Sequence, residues 1–399
     1  MRVLQLCNKP PLPATDGGGQ AMHSVTLGLL HCGVDVKVLT IATDKHPFLP
    51  QQMPDAYRLD THIEAVYVDT RVKGKDALLN LFSSSSYNID RFRSAAFSEK
   101  LRQVLLQETF DIVQLESLYM TPYIDVIRTN SQAKIVLRAH NVEAALWQRQ
   151  ADQEKNPVKR RWFRSLAKKL EEYERITIPL VDAVVPITEE DAAVFRKMIP
   201  GKIPVHVLPF TKPPQTTHAS QHIEPLSVFH LGSMDWLPNI EAVKWLTQEI
   251  WPIVIKSVPD AQLHLAGRSL DKNDPAFAGK QIANHGEVSD AAEFISQFGI
   301  MVAPLRSGGG MRIKLIEAMD ARKAIVATTI GAEGTGATNG KELLLADNTQ
   351  AFAEAIVRLL KDEALAKTLG SHAKEFSTKY FDWEGSLKKL VDFYSTLLP

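Results

Sequence analysis

The sequence predicts an α/β protein made of two doubly wound, mostly parallel sheets, one in each half of the chain. Three observations carry this. Apolar strands alternate with amphipathic helices along the 399 residues. A chain of that length supports two domains of ordinary size. The halves are separated by 210–225, FTKPPQTTHASQHIEP, rich in Pro, Thr and Ser and poor in apolar residues, which reads as a linker. Domains are therefore expected at 1–210 and 226–380, with a linker at 211–225.

In the first half, residues 2–8, RVLQLCN, suit a strand. A proline-rich loop follows, then Gly17, Gly18 and Gly19, and a helix over 20–32 with apolar Met22, Val25, Leu29 and Leu30. A strand at 34–41 closes a βαβ unit. Its first turn is glycine-rich, at the place where a doubly wound sheet binds ligands. It lacks the GxGxxG pattern, so one phosphate or a sugar is expected there before a dinucleotide, with a purely structural turn as the alternative. A strand is expected at 63–68. Residues 76–87, DALLNLFSSSSY, run leucines and Phe82 into serines and read as a mobile flap or a membrane-touching segment. Residues 110–115 and 134–139 read as buried parallel strands from their continuous apolar character. The second leads into His140, Asn141, Val142 and Glu143. Polar residues at the carboxyl end of a parallel strand face the ligand crevice, which makes His140 a candidate for chemistry, although a lone His is more often structural. A helix at 156–176 has Trp162, Phe163, Leu166, Leu170 and Tyr173 as its apolar stripe and Lys159, Arg160, Arg161, Arg164, Lys168 and Lys169 around it. That is either an ordinary solvated face or one attracted to anionic lipid headgroups. A strand at 182–187 precedes Thr188, the N-cap of a helix with Glu189 and Glu190 in its first turn.

The second half restarts with a strand at 226–231, the stretch GSMDWLPN and a helix from Ile240. A strand at 262–266 ends in Gly267 and Arg268, and residues 282–284 lead to Gly286, Glu287 and Val288. The most informative stretch is 302–334, VAPLRSGGGMRIKLIEAMDARKAIVATTIGAEG, which reads as strand, glycine loop, helix, strand and turn. Gly308, Gly309 and Gly310 leave backbone N–H groups uncovered by side chains, and the helix expected over 311–321 begins at Met311, with Ile313, Leu315, Ile316 and Met319 apolar. A glycine loop opening a helix is an anion site, because unpaired N–H groups and the positive helix end point the same way. Arg312 and Lys314 in the first turn oppose the helix dipole, a penalty that a dianionic phosphate would reverse. Removing both is thus expected to leave the unliganded protein no less stable. Glu317 could accept from the vicinal hydroxyls of a ribose; the alternative is a solvated helix in which Lys314 and Glu317 simply pair. Helices at 351–360, 362–379 and 381–398 finish the chain.

Composition narrows the class. Apolar residues make up 45 % and charged residues 23 %, as in globular enzymes. Lys plus Arg equals Asp plus Glu at 46 each, so no global field favours nucleic acid. Two cysteines, Cys7 and Cys32, give no disulfide framework and suit a reducing cytoplasm. No Cys/His cluster of metal type occurs, no leader sequence is expected before the first strand, and no apolar run nears membrane-spanning length.

Two Rossmann-like halves, a glycine loop after the first strand and SGGGMRIKLIEAM in the second half together resemble the retaining, family-4 glycosyltransferases of the GT-B fold, over nearly the whole chain. GSMDWLPNIEA and the ending FDWEGSLKKL look like one bacterial branch. The resemblance implies two Rossmann-like domains facing a central cleft. The N-terminal domain would bind the acceptor, completed by the last helix at 381–399, and the C-terminal domain would bind a nucleotide-diphosphate sugar. Glu317-Ala318-Met319 matches the second of two family glutamates, which holds the donor ribose; the position of the first is Gly309 here. His140 resembles the active-site histidine, Gly17 to Gly19 the loop against the donor diphosphate, and Val288 the segment contacting the base. Where the family often carries an Arg and a Lys after the first strand of the second domain, this chain has Ser233 and Pro238. Arg312 and Lys314 are then expected to take the diphosphate charge. The implied catalytic residues are His140, Arg312 and Lys314; the donor-binding set is Gly18, Gly19, Ser233, Asn239, Arg268, Val288, Gly308, Gly309, Gly310, Met311 and Glu317.

The expected chemistry is transfer of a hexosyl unit from a UDP- or GDP-sugar to a glycan or lipid-linked acceptor, in the cytoplasm or at the inner face of the membrane. Loop N–H groups and basic side chains would neutralise the leaving phosphate. No Asp-x-Asp pair occurs, so neither a metal nor another cofactor is expected. A nucleotide-sugar epimerase, a non-catalytic nucleotide-sugar-binding subunit and a dinucleotide oxidoreductase are the competing readings.

Overall fold

The computed structural model describes residues 1–14, 16–71, 86–199, 201, 203–211, 213, 223–308 and 312–399, the side chain of Ala276 excepted. The chain divides into two compact units, Met1–Pro214 with Trp383–Pro399, and Gln215–Asp382.

The first unit holds β1 (Arg2–Cys7), β2 (Asp35–Ala42), β3 (Glu64–Tyr67), β4 (Ile112–Glu116), β5 (Lys134–Ala139) and β6 (Ala183–Pro186). They form one sheet of order β3-β2-β1-β4-β5-β6, parallel throughout. Its α-helices of seven or more described residues are α1 (Gly17–His31), α2 (Asp55–Thr61), α3 (Ala95–Gln107), α4 (Ile124–Asn130), α5 (Glu143–Gln153), α6 (Pro157–Thr177) and α7 (Glu189–Met198). Side chains alternate faces along each strand, so the unit has two cores. Leu4, Leu6, Val113, Leu115 and Leu137 pack with α3, α4 and α7. Val3, Val36, Val38, Ile112 and Val136 pack with α1 and with the chain's last helix, Trp383–Leu397.

The second unit holds β7 (Ser227–Leu231), β8 (Gln262–Ala266), β9 (Ile282–Gly286), β10 (Ile300–Ala303), β11 (Ala324–Ala327) and β12 (Leu344–Leu345). The order β12-β11-β10-β7-β8-β9 repeats the first unit's connectivity, again all parallel. Helices α8 (Leu237–Trp245), α9 (Trp251–Ser257), α10 (Ala291–Ser296), α11 (Ile313–Asp320), α12 (Thr349–Lys361) and α13 (Glu363–Tyr380) cover it, and Trp383–Leu397 is α14. In both sheets the strand order reverses between the first and fourth strands of the unit, β1 and β4, then β7 and β10. Such a reversal point is where doubly wound sheets open a crevice.

The last helix belongs to the first unit because its apolar face is made for α1. Trp383, Leu387, Leu390 and Tyr394 are buried there. A Cβ at Gly28 of α1 would lie 2.2 Å from Leu387 Cγ, so only glycine permits this approach. The Trp383 indole N–H donates to Ser24 Oγ at 3.0 Å.

Several element boundaries differ from expectation. Gly17, Gly18 and Gly19 are not a loop but the first turn of α1. Asp16 caps that turn, accepting from the Gly19 N–H at 2.8 Å, which outweighs the poor helix propensity of glycine. Helix α8 starts at Leu237, with Pro238 in the first turn, rather than at Ile240. Helix α11 starts at Ile313, so Arg312 is its N-cap residue rather than part of the first turn. The flap expected at 76–87 falls almost wholly outside the described residues, as does most of the linker at 211–225.

Candidate active-site clusters

At the reversal point of the first unit, β4 ends in Glu116 and β5 ends just before His140. Glu116 and Arg138 are register partners on neighbouring strands, and Cys7 on β1 is the register partner of Glu116 on its other side. The Glu116 carboxylate is fully buried and Arg138 nearly so. Its Oε1 accepts from Gln5 Nε2 at 2.7 Å and from Gln114 Nε2. Its Oε2 lies 2.7 Å from His140 Nε2 and 3.6 Å from Arg138 Nε. Gln114 is held by the Tyr394 hydroxyl, which donates to its Oε1 at 2.6 Å. Burial alone would push Glu116 up; the hydrogen bond and charge of His140, then the charge of Arg138 and the hydrogen bond from Gln5, outweigh it and hold the carboxyl below its usual range. Burial and the Glu116 charge push the Cys7 thiol well up, so Cys7 is a packed apolar group rather than a nucleophile. His140 is thus part of a polar network inside the sheet.

The glycine turn of α1 is occupied by its own side chains. Lys9 Nζ contacts both Asp16 oxygens, at 2.7 and 2.6 Å. Burial raises the Asp16 carboxyl, but the Lys9 charge and hydrogen bond together bring it below its ordinary value. The Gly19 N–H, expected to meet a phosphate, is bonded to Asp16 in this structure.

The second cluster forms where β7 and β10 end. Asp235 gathers two of the expected residues: Ser233 Oγ donates to its Oδ1 at 2.5 Å and Arg268 Nη2 to its Oδ2 at 2.6 Å. Asn239 Nδ2 donates to the Ser233 carbonyl at 2.9 Å, tying the loop to the start of α8. The Arg312 guanidinium stacks 5.3 Å above the Trp236 ring, and its Nη2 reaches the Ile330 carbonyl at 3.5 Å. Gly308 has φ +94°, and a Cβ there would lie 2.6 Å from the Trp236 ring, so both its backbone angle and its contact call for glycine. Lys314 Nζ pairs with Glu317 Oε2 at 2.9 Å, with only 13 % of the Glu317 side chain exposed. The pairing expected of a plain helix is therefore present. Val288 packs against the core around Phe229 and Phe294. Gly309, Gly310 and Met311 lie outside the described residues.

The structure thus brings Ser233, Asn239 and Arg268 together, sets Gly308 against Arg312 through Trp236, and joins Lys314 to Glu317. Sequence reasoning missed Glu116, Arg138, Gln5 and Gln114, and also Asp235 and Trp236. A signal existed for the first four: each is a polar residue inside an otherwise apolar, doubly buried strand, where polar groups persist only when partnered.

Residues 225–362 match the family described as glycosyl transferases group 1. Over 297 residues the chain is 26 % identical to an uncharacterized 44.6 kDa protein in the cps region of Klebsiella pneumoniae, covering 71 % of this chain and 74 % of that one. Among solved structures, sucrose-phosphate synthase from Thermosynechococcus elongatus superposes with a TM-score of 0.69 at 16 % identity, covering 100 % of this chain and 99 % of the other. The pneumococcal O-GlcNAc transferase GtfA, solved with UDP and GlcNAc, superposes with a TM-score of 0.68 at 11 % identity, covering 99 % of each. The architecture is that of the GT-B glycosyltransferases, and the chain is an enzyme of the transferase class.

Proposed function

We propose that the protein is a retaining glycosyltransferase that moves a hexosyl unit from a UDP- or GDP-sugar to a glycan or lipid-linked acceptor, in the synthesis of a surface polysaccharide or glycoconjugate. The observation that carries this reading is the second cluster: a buried Arg312 on Trp236, the Gly308 turn and the Lys314–Glu317 pair at one reversal point, inside the stretch that matches glycosyl transferases group 1. The UDP in the GtfA complex and the cps-region relative support the donor class and the pathway class.

In this mechanism the anomeric C–O bond to the nucleoside diphosphate breaks and negative charge grows on the leaving phosphate. Arg312 and Lys314 neutralise that charge. Lys314 exchanges Glu317 for the phosphate, which leaves the Glu317 carboxylate to accept from the ribose hydroxyls. The acceptor attacks from the leaving-group face and the departing phosphate takes its proton, so no protein carboxylate acts as nucleophile. His140 orients the donor sugar. The chemistry proposed needs no metal. The exposed basic start of α6, with Val158, Lys159, Arg160 and Arg161 all in solvent, favours an acceptor carried by an anionic membrane.

Thermal melting with UDP-, GDP- and ADP-sugars tests the reading, since a ligand at about 100 times its dissociation constant adds ~2.7 kcal/mol. A shift with one nucleotide class, followed by metal-chelated turnover of that donor with retained anomeric configuration, is the expected result. No shift with any of them removes the proposal.

A further inference from the structure

The Glu116 network decides how His140 presents itself. A carboxylate only accepts hydrogen bonds, and Glu116 is held ionised, so in the 2.7 Å contact the proton sits on His140 Nε2. Its donors are oriented rather than adjustable. The Tyr394 hydroxyl on Gln114 Oε1 turns the Gln114 amide nitrogen toward Glu116, and Thr26 Oγ1 at 2.7 Å from Gln5 Oε1 does the same for Gln5. Arg138, 1 % exposed and 3.6 Å away, balances the carboxylate charge. A neutral imidazole protonated at Nε2 has a bare lone pair at Nδ1. Nδ1 has no protein partner among the described residues. Nε2 lies against a fully buried carboxylate, and 13 % of the His140 side chain is exposed.

We propose that Glu116, charge-balanced by Arg138, is the positioning residue of His140: it locks the imidazole as the Nε2–H tautomer and leaves Nδ1 as an acceptor for a hydroxyl of the bound sugar. The sugar rests on the functional reading above; the tautomer does not.

The test is ring-nitrogen NMR on the full chain labelled with 15N-histidine, in mildly alkaline buffer, with His140→Asn identifying the signal. The expected spectrum shows Nε2 protonated and Nδ1 bare. The opposite tautomer, or an even mixture, overturns the proposal. The double variant Glu116→Gln with Arg138→Met removes both buried charges together, so neither is stranded. It should show mixed tautomers and lose at least about tenfold in kcat with donor KM little changed, as expected when a histidine is no longer held in one tautomer. A folded double variant with wild-type tautomer and kcat also overturns the proposal. If that variant does not fold, the wild-type spectrum decides alone. If the wild type shows the expected tautomer but transfers sugar from no nucleotide donor, the functional reading fails and the positioning role stands.

Discussion

Arg312 and Lys314 carry the same charge, yet the structure separates them. Arg312 is 8 % exposed and stacked on Trp236, so it contributes to the unliganded fold. Lys314, with 34 % of its side chain exposed, pairs with the half-buried Glu317. The structure thus gives removal of Arg312 a cost in the unliganded protein that removal of Lys314 does not carry to the same degree. Lys314→Met should change stability by less than ~1 kcal/mol, in keeping with a half-buried pair. Arg312→Met should lose about 0.5–2 kcal/mol from the cation–π contact. Melting of the two unliganded variants checks this; equal melting temperatures would show that the stacking contributes nothing. Glu317→Gln keeps the shape and removes a charged acceptor. Nucleotide binding should weaken by ~1.5–3 kcal/mol. Unchanged affinity in calorimetry takes Glu317 out of the site.

At the scale of elements, α5 begins directly after His140-Asn141-Val142 and has no cap of its own. Glu174 of α6 supplies one: its Oε1 accepts from the Glu143 N–H at 2.7 Å. The Glu143 carboxylate lies beside it and accepts from the Tyr119 hydroxyl at 2.8 Å. Burial, and next to it the Glu143 charge, pushes Glu174 from its ordinary 4.5 up to about 8. The sign follows from proton counting. Between 4.5 and about 8 the folded state holds a proton on Glu174 that the unfolded state has lost. Unfolding releases it, so this group's contribution is present at low pH and fades as pH rises through that window. Glu174→Gln retains the capping oxygen and removes the titration. Its melting temperature should fall less steeply across the window than that of the wild type; an unchanged slope would refute the assignment. Glu174→Leu should cost ~1 kcal/mol for the lost cap.

For the whole molecule, the return of the chain at Trp383 matters most. Leu387, Leu390 and Tyr394 are fully buried and Trp383 is 7 % exposed. At roughly 1.5–3 kcal/mol for each buried side chain, their removal approaches the whole stability of a domain. Deleting Trp383–Pro399 should therefore abolish the cooperative melting of the first unit while the second still melts. Two intact transitions by calorimetry would show that the helix is an ornament. The basic start of α6 gives the other prediction at this scale. Each Lys or Arg near an anionic leaflet adds up to ~1 kcal/mol, attenuated by salt. The protein should sediment with anionic vesicles, and binding should vanish in neutral vesicles, in high salt, and when Lys159, Arg160 and Arg161 become Gln. No sedimentation even at low ionic strength removes the membrane reading.

Much of this was legible in the sequence because it is local. Continuous apolar runs such as 134–139 imply strands buried on both faces, and their alternation with helices implies parallel sheets. The polar residue after such a strand, His140, marks the ligand end. What touches that histidine was not legible, because it depends on register between separate strands: Glu116 meets Arg138, and Cys7 meets Glu116, only once β4 lies between β1 and β5. Gly17 to Gly19 read as a loop from their own propensity, and only the Asp16 cap and the packing of α1 against Leu387 made them helical. Sequence by itself determined which segments are strands and helices and where their polar ends fall, since period and propensity act over a few residues. Tertiary structure alone decided which polar side chains share a proton or a charge, since those energies depend on burial and on distances of a few ångströms between residues carried by different strands.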